Sequence, residues 1–422
     1  MLIDFSVTNF RSIKEEQTLS MIADSSSRKN ENTFVPIEGN KLRLLNSAAI
    51  YGANASGKSN ILKALHRLIS YIQTLNIDVD HKIPYYEPFK LDESRLSQPS
   101  IFKLSFILEG IMYDYQIAFD SREVHHEQLD FYPKKRKSNL FIRTKNEVKR
   151  GDYFQDKRSF SNKALTKYPY LSKVAREEHE QMQKIYEYLK TYAFFPAYDN
   201  QTKKSLIRHV NQSLQGDEKL KKKLSKLIQI ADTHIDRINI EEKSMTSEFD
   251  EEMPEDIKNL IMSDKYEVFA VHKTFKNNVF TGESEFSFFH EESIGTMTLY
   301  TIGTLILFIL NEGHILVIDE LDNSLHPKLC KFLIKLFHHP STNPRNAQLI
   351  FASHETTLLD RELLRKDQIW FTEKNKYGET QLFSAQDFDK VKGDEPFDQW
   401  YMQGKFGGQP NIKEVEFMFG DE

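Results

Sequence analysis

The 422-residue sequence is poor in cysteine, with Cys330 alone. That excludes an intrachain disulfide and any thiolate-rich metal site, and it fits a reducing compartment. The expected role of Cys330 is that of a small buried apolar residue. A charge excess of one sign is also missing, since 57 Lys and Arg oppose 62 Asp and Glu for a net −5. Global attraction to nucleic acid or anionic lipid is therefore excluded, and any such binding needs a local basic patch. Long hydrophobic runs are absent as well: the longest nearly apolar stretch, Leu299 to Leu310, falls short of the roughly 20 residues that cross a bilayer and reads as a buried helix. Met1 to Phe5 shows no basic region leading into an apolar stretch and a cleavage site, so a cytoplasmic protein with no membrane association is expected.

What is present divides by pattern. Residues 1 to 160 read as a strand-rich first lobe around one helix, with Leu2 to Phe10, Ala48 to Tyr51, Ile101 to Leu108 and Tyr113 to Phe119 alternating or continuously apolar. From 161 to 265 long charged stretches with helical spacing, such as Glu177 to Leu189 and Glu218 to Ala231, predict an inserted helical arm or lid. Residues 266 to 375 alternate strands and helices again. Ile315 to Ile318 and Gln348 to Ala352, separated by a helix beginning at Pro327, form a βαβ unit and argue for a parallel sheet. A turn-rich tail, 376 to 422, is expected to pack on this head.

The sharpest motif is Gly52-Ala53-Asn54-Ala55-Ser56-Gly57-Lys58-Ser59, followed by Asn60. An apolar strand leads in and an amphipathic helix leads out, the context in which a glycine-rich loop wraps its N–H groups around a phosphate. Lys58 then neutralises charge and the Ser59 hydroxyl ligates magnesium. The strand Ile315 to Ile318 delivers Asp319 and Glu320 at its C-terminal end, where ligands of open α/β sheets bind. Asp319 is expected to hold magnesium through water and Glu320 to act as general base toward the attacking water. Asp322 lies in the following turn, where simple turn chemistry is an equal alternative. His354 closes the next apolar strand and can reach a γ-phosphate. Ser293 and Gly295 open the apolar helix after them, as an anion-binding end or an ordinary cap.

This order of elements resembles ABC-type ATPase heads of the RecF, SMC and OLD group, and more narrowly the RloA/AbiLi ATPases and the AriA subunit of PARIS anti-phage systems. The narrower likeness rests on Asn9-Phe10-Arg11-Ser12-Ile13, the phosphate loop through Asn60, Asp319 to Pro327, Asp367 to Lys374 and Tyr401 to Gly407. The resemblance implies an α/β P-loop ABC-ATPase head, with a mixed, largely parallel sheet, flanking helices, an antiparallel β subdomain and the helical insertion. It implies ATP and Mg2+ as cofactors, and a head-to-head homodimer or higher oligomer in which Ser293 and Gly295 contact the γ-phosphate held by the other copy. Asp322 would lie at that interface and Arg11 would approach the phosphates. Two departures stand out: Ser-Ile-Gly-Thr replaces Ser-Gly-Gly-Gln at 293 to 296, and no Q-loop glutamine is evident before the arm.

OLD-type proteins carry a Toprim nuclease after the ATPase, whereas fewer than 70 residues follow His354. A nuclease effector is therefore expected as a separate protein, in an anti-phage switch. The alternative is a RecF- or SMC-like DNA-management ATPase that binds nucleic acid directly. Lys134 to Lys137 with Arg143 and Lys145, and Lys219 to Lys226, are the basic segments available for that. A solvated amphipathic face is the preferred reading of both.

Overall fold

The computed structural model of the protein describes residues 1–74, 81–133, 136–154, 166–195, 200–231, 234–242, 266–388 and 396–409. The first lobe is a meander of strands that alternate buried and half-exposed residues, the signature of a sheet with one face on a core. Strands β1 (Leu2–Thr8), β2 (Gln17–Ser20), β6 (Ser100–Leu108), β7 (Ile111–Phe119), β8 (Val124–Phe131), β9 (Ser138–Thr144) and β10 (Glu147–Arg150) form an antiparallel seven-stranded sheet in the order β10-β9-β8-β7-β6-β1-β2. The short pair β3 (Thr33–Phe34) and β4 (Leu44–Leu45) stands apart.

The second sheet is built from strands buried on both faces. Its six strands run β11 (Tyr192–Phe195), β15 (Ile315–Ile318), β16 (Gln348–Ala352), β5 (Ser47–Gly52), β17 (Ile369–Lys374) and β18 (Thr380–Ser384), parallel except for the edge strand β18. Period-2 alternation assigns each residue a side. Ala48, Ile50, Ile315, Val317, Ile350 and Ala352 join the core beneath the antiparallel sheet, with helices α1 (Lys58–Gln73), α2 (Tyr170–Arg176) and α3 (Glu180–Leu189). Ala49, Tyr51, Leu316, Ile318, Leu349 and Phe351 join the other, with α5 (Glu218–Ala231), which follows α4 (Asn200–Gly216). The same core takes the helices after α6 (Phe288–Glu291): α7 (Ile294–Glu312), α8 (Pro327–His338) and α9 (Phe397–Met402).

The stretch expected as one helical insertion, 161 to 265, is divided. Helices α2 and α3 belong to the first core, and β11 completes the edge of the parallel sheet by pairing with β15. Only then do α4 and α5 follow, succeeded by an antiparallel meander of β12 (Ile235–Glu242), β13 (Tyr266–Lys276) and β14 (Val279–Ser287). A four-residue strand whose partner lies over 120 residues away leaves no local periodicity to read. The tail likewise contributes β18 to the sheet itself. Helix α7 has the length and apolarity of a bilayer span, but over half of it is buried against the protein.

Of the basic residues, Lys134 and Lys135 lie outside the described residues. Arg143 is fully buried: it donates to Glu127 (3.2 Å) and to the carbonyls of Lys145 and Tyr168. Glu127 also accepts from the Tyr115 hydroxyl and from the Tyr170 and Leu171 amides, which fastens the start of α2 to the antiparallel sheet. Lys137 and Lys145 pair with Asp130 and Glu123. On α5, Leu220, Leu224, Leu227 and Ile228 are buried, so its lysines form the outer face of an amphipathic helix.

Candidate functional site

Strand β5 ends at Gly52, whose φ of 152° is open only to glycine at low cost. A Cβ there would lie 2.5 Å from the Thr372 carbonyl and 2.6 Å from Ser56 Oγ. Gly57, at φ 118°, caps α1 and would drive a Cβ into Thr380. The loop between them turns inward so that the Lys58 ammonium donates to the Gly52 and Ala53 carbonyls at 2.7 and 3.1 Å. Burial pushes the Lys58 pKa down to about 8, against the pull of Asp319, Glu320 and Asp322. It is nonetheless an ammonium at pH 7.

Two relays of hydroxyl groups brace this loop. Asn60 donates to Ser12 Oγ (2.7 Å), which bonds Thr380 Oγ1 (2.7 Å), and Thr380 donates to the Ser56 carbonyl (2.8 Å). Ser56 Oγ lies 2.6 Å from Thr372 Oγ1, which donates to the Tyr51 carbonyl (3.3 Å). Thr372, Thr380 and Ser12 were not singled out as site residues in the sequence. The available signal was the alternation of Thr372 with Lys374, which puts both on one face of β17.

A cleft of about 880 Å³ opens over the loop, with Asn54, Lys58, Ser59, Glu320, Asp322 and His354 in its walls. Ala55, Ser56, Gly57 and Asn60 line it too, and Lys374, from the far side of β5, supplies a second cation. Ser59 donates to Asp319 Oδ1 at 3.0 Å. Burial raises the Asp319 pKa and Glu320 adds to the rise, while the Ser59 hydrogen bond opposes it. Neighbouring ligands of an octahedral cation at ~2.1 Å stand about 3.0 Å apart, so Ser59 and Asp319 fit Mg2+ as adjacent ligands. No cluster of three or more His, Cys, Asp or Glu suited to a metal occurs among the described residues. The remaining ligands would have to be phosphate oxygens and water.

Glu320 follows the last residues of the strand in a left-handed conformation, φ 58°, uncommon for a non-glycine residue and a form of strain concentrated at functional sites. The sharp turn brings its carboxylate to the wall shared by the cleft and a smaller cavity of about 310 Å³ under α4 and α7. Asp322 accepts the His354 amide at 3.3 and 3.4 Å, tying the two strand ends together. Partial desolvation and the Lys58 charge lower the His354 pKa against the opposing pull of Asp322, Glu320 and Asp319, which favours the neutral imidazole.

Five expected residues do not line the cleft: Gly52 and Asp319 are bonded to its lining through Lys58 and Ser59, whereas Arg11, Ser293 and Gly295 stand apart. Arg11 pairs with Glu87 at 2.6 Å, and Glu87 is held by Arg67 as well, so the guanidinium is occupied away from the loop. Its neighbour Ser12 is the residue of that motif that reaches the phosphate loop. Ser293 caps α7 by accepting the Thr296 amide and is exposed, as is Ile294. A Cβ on Gly295 would meet the Ser324 carbonyl at 2.8 Å, so the start of α7 packs on the turn after Asp322.

The sequence matches, over residues 47–360, the family described as AAA domain, putative AbiEii toxin, Type IV TA system. The chain belongs to this family. Within this AAA-domain family it is a P-loop ATPase domain, with its matched region running from the start of β5 to just beyond His354. No curated protein matches the sequence. Among solved structures it is similar to the SmcHead bound to the C-winged helix domain of ScpA, at 13% identity and a TM-score of 0.45, over 91% of this chain and 97% of that one.

Proposed function

We propose that the protein hydrolyses ATP with Mg2+ and uses nucleotide to join two copies head to head, each completing the other's site. The observation that carries this reading is the separation of the site into two parts within one chain. Lys58, Ser59, Glu320 and His354 line one cleft, whereas Ser293 and Gly295 do not line it: Ser293 is exposed at the start of α7 and Gly295 is half-buried beside it. The exposed N-terminus of a helix is a ready donor to the γ-phosphate of another copy.

In that arrangement the loop amides and Lys58 hold the β- and γ-phosphates, and Glu320 accepts a proton from the attacking water. The neutral His354 donates to the γ-phosphate, and its loss on hydrolysis releases Asp322 and His354 together. Bound Mg2+ supplies charge neutralisation between the phosphates, with Ser59 and Asp319 as its protein ligands. Coupling follows because the γ-phosphate binds the joined state better than the separate one. The resemblance to anti-phage ATPases and the toxin-antitoxin description of the family support a cytoplasmic defence switch that controls a separately encoded nuclease effector. A direct nucleic-acid role is less well supported, because Arg143, Lys137 and Lys145 are engaged in pairs within the β subdomain.

Complementation tests the shared site. Lys58→Ala and Ser293→Arg are each expected to abolish turnover. An equimolar mixture should regain about a quarter of wild-type activity, since half the dimers are mixed and each mixed dimer carries one intact composite site. A mixture as inactive as its components rejects completion in trans.

A further inference from the structure

The segment around α9 has no place in the chemistry described so far, yet it lies directly against the phosphate loop. Phe406, 1% exposed, stacks on Phe371 with ring centroids 4.8 Å apart, and Tyr401 stacks on the same ring at 5.4 Å. Tyr401 also approaches Tyr51, the residue before Gly52, at 6.3 Å. After Phe406 the chain makes two left-handed residues in succession, Gly407 at φ 67° and Gly408 at φ 68°. This turn lets backbone meet backbone: a Cβ on Gly408 would lie 3.2 Å from the Thr372 carbonyl and 3.7 Å from the Gly52 Cα. The turn is closed on itself, since Tyr401 donates to the Gly408 carbonyl at 3.2 Å and Gln409 donates to the Tyr401 carbonyl. Helix α9 further packs against residues 356 to 358, just beyond His354.

The geometry points to a positioning role for this strap: Tyr401, Phe406 and Gly408 hold Gly52 and the end of β17 in the form that cradles phosphate. The reason is conformational. Gly52 sits at a φ that the free chain would leave readily, and Lys58 bonds to the Gly52 carbonyl, so any drift of Gly52 moves the ammonium with it. Packed aromatic rings on one side and the strand ladder on the other leave the loop one arrangement, and pre-organisation of this kind appears as affinity. The strap therefore sets how tightly the cleft binds nucleotide, and it does so without touching the ligand.

This inference rests on the cleft being a nucleotide site, and one experiment separates the two. The dissociation constant of a fluorescent ATP analogue with Mg2+ is measured for the full chain and for Gly408→Ala and Phe406→Leu. Phe141→Ala, a fully buried side chain of β9 in the antiparallel sheet, serves as a control for general destabilisation. Each strap variant is expected to weaken binding at least fivefold, and the control less than twofold at a comparable loss of Tm. Gly408→Ala introduces a Cβ into the contact, and Phe406→Leu, which keeps the volume apolar, guards against a variant that fails to fold. Wild-type binding with unchanged strap variants, or equal weakening in Phe141→Ala, overturns the positioning role. Absence of binding by the wild type removes the nucleotide reading together with it.

Discussion

Replacing Glu320 with glutamine removes the proposed base while keeping its size and its hydrogen-bonding reach. General-base removal typically costs ~10²–10⁴ in rate, or about 3–5 kcal/mol of barrier. The structure argues for the upper part of that range. Asp319 is engaged by Ser59, and Asp322 by the His354 amide, so neither neighbouring carboxylate is free to take over. The backbone of Glu320 is bent into a left-handed turn at the wall shared by the two cavities, where Asn323 and Ser324 are the other common lining residues and neither carries a carboxylate. A kcat about 10³-fold or more below wild type is expected in a phosphate-release assay. ATP binding should persist or strengthen, because one of the three carboxylates acting on Lys58 is neutralised beside a polyanion. If hydrolysis ends the joined state, light scattering with ATP should show a dimer that outlives the wild-type one by a similar factor. A variant that turns ATP over within threefold of wild type would refute Glu320 as the base, and a slow variant that stays monomeric would refute the link between hydrolysis and dissociation.

Lys58→Met tests the electrostatics of the loop. The lysine's pKa falls from its usual 10.5 to about 8 on folding, so the cost of burying its charge is complete below pH 8 and fades as pH rises toward 10.5. The variant should therefore melt above wild type at pH 7, with an advantage that shrinks between pH 8 and 10.5, and ATP should no longer raise its Tm. A lower Tm than wild type at pH 7 contradicts this. Glu127→Ala leaves the Arg143 guanidinium buried without its carboxylate and strips two amides at the start of α2 of their acceptor. A loss of about 3–5 kcal/mol in urea denaturation is expected, and a loss under about 1 kcal/mol would mean that the network is dispensable.

Much of the site was legible because its parts are local. The phosphate loop, the acids after Ile318 and the histidine after Ala352 each sit at a junction where an apolar strand gives way to polar residues, and such junctions are visible in a short window. Helix α5 matched its charged, leucine-spaced stretch from Glu218 to Ala231. Strands β11 and β12 were not legible, since the first is four residues long and the second lies among charged residues that also suit a helix surface, whereas β13 and β14 fall in the stretch from 266 that reads as alternating strands and helices. The pairing of Arg11 was not legible for a related reason. Its neighbour Ser12 does reach the loop, but Glu87, 76 positions on, captures the guanidinium, and no local pattern announces that pairing.

The sequence by itself determined which residue types stand at which strand ends, and with them the class of ligand: a glycine-rich turn, a lysine, a hydroxyl and two acids suit a polyphosphate with its cation wherever they meet. Tertiary structure alone decided that they do meet. It set the strand order that puts β16 between β15 and β5, the hydroxyl relays from Ser12, Thr372 and Thr380, and the approach of Gly408 to Gly52. The physical reason is range: backbone propensity and periodicity act over a few residues, whereas contacts between residues more than 300 positions apart arise only when two apolar faces pack and fix what their edges bring together.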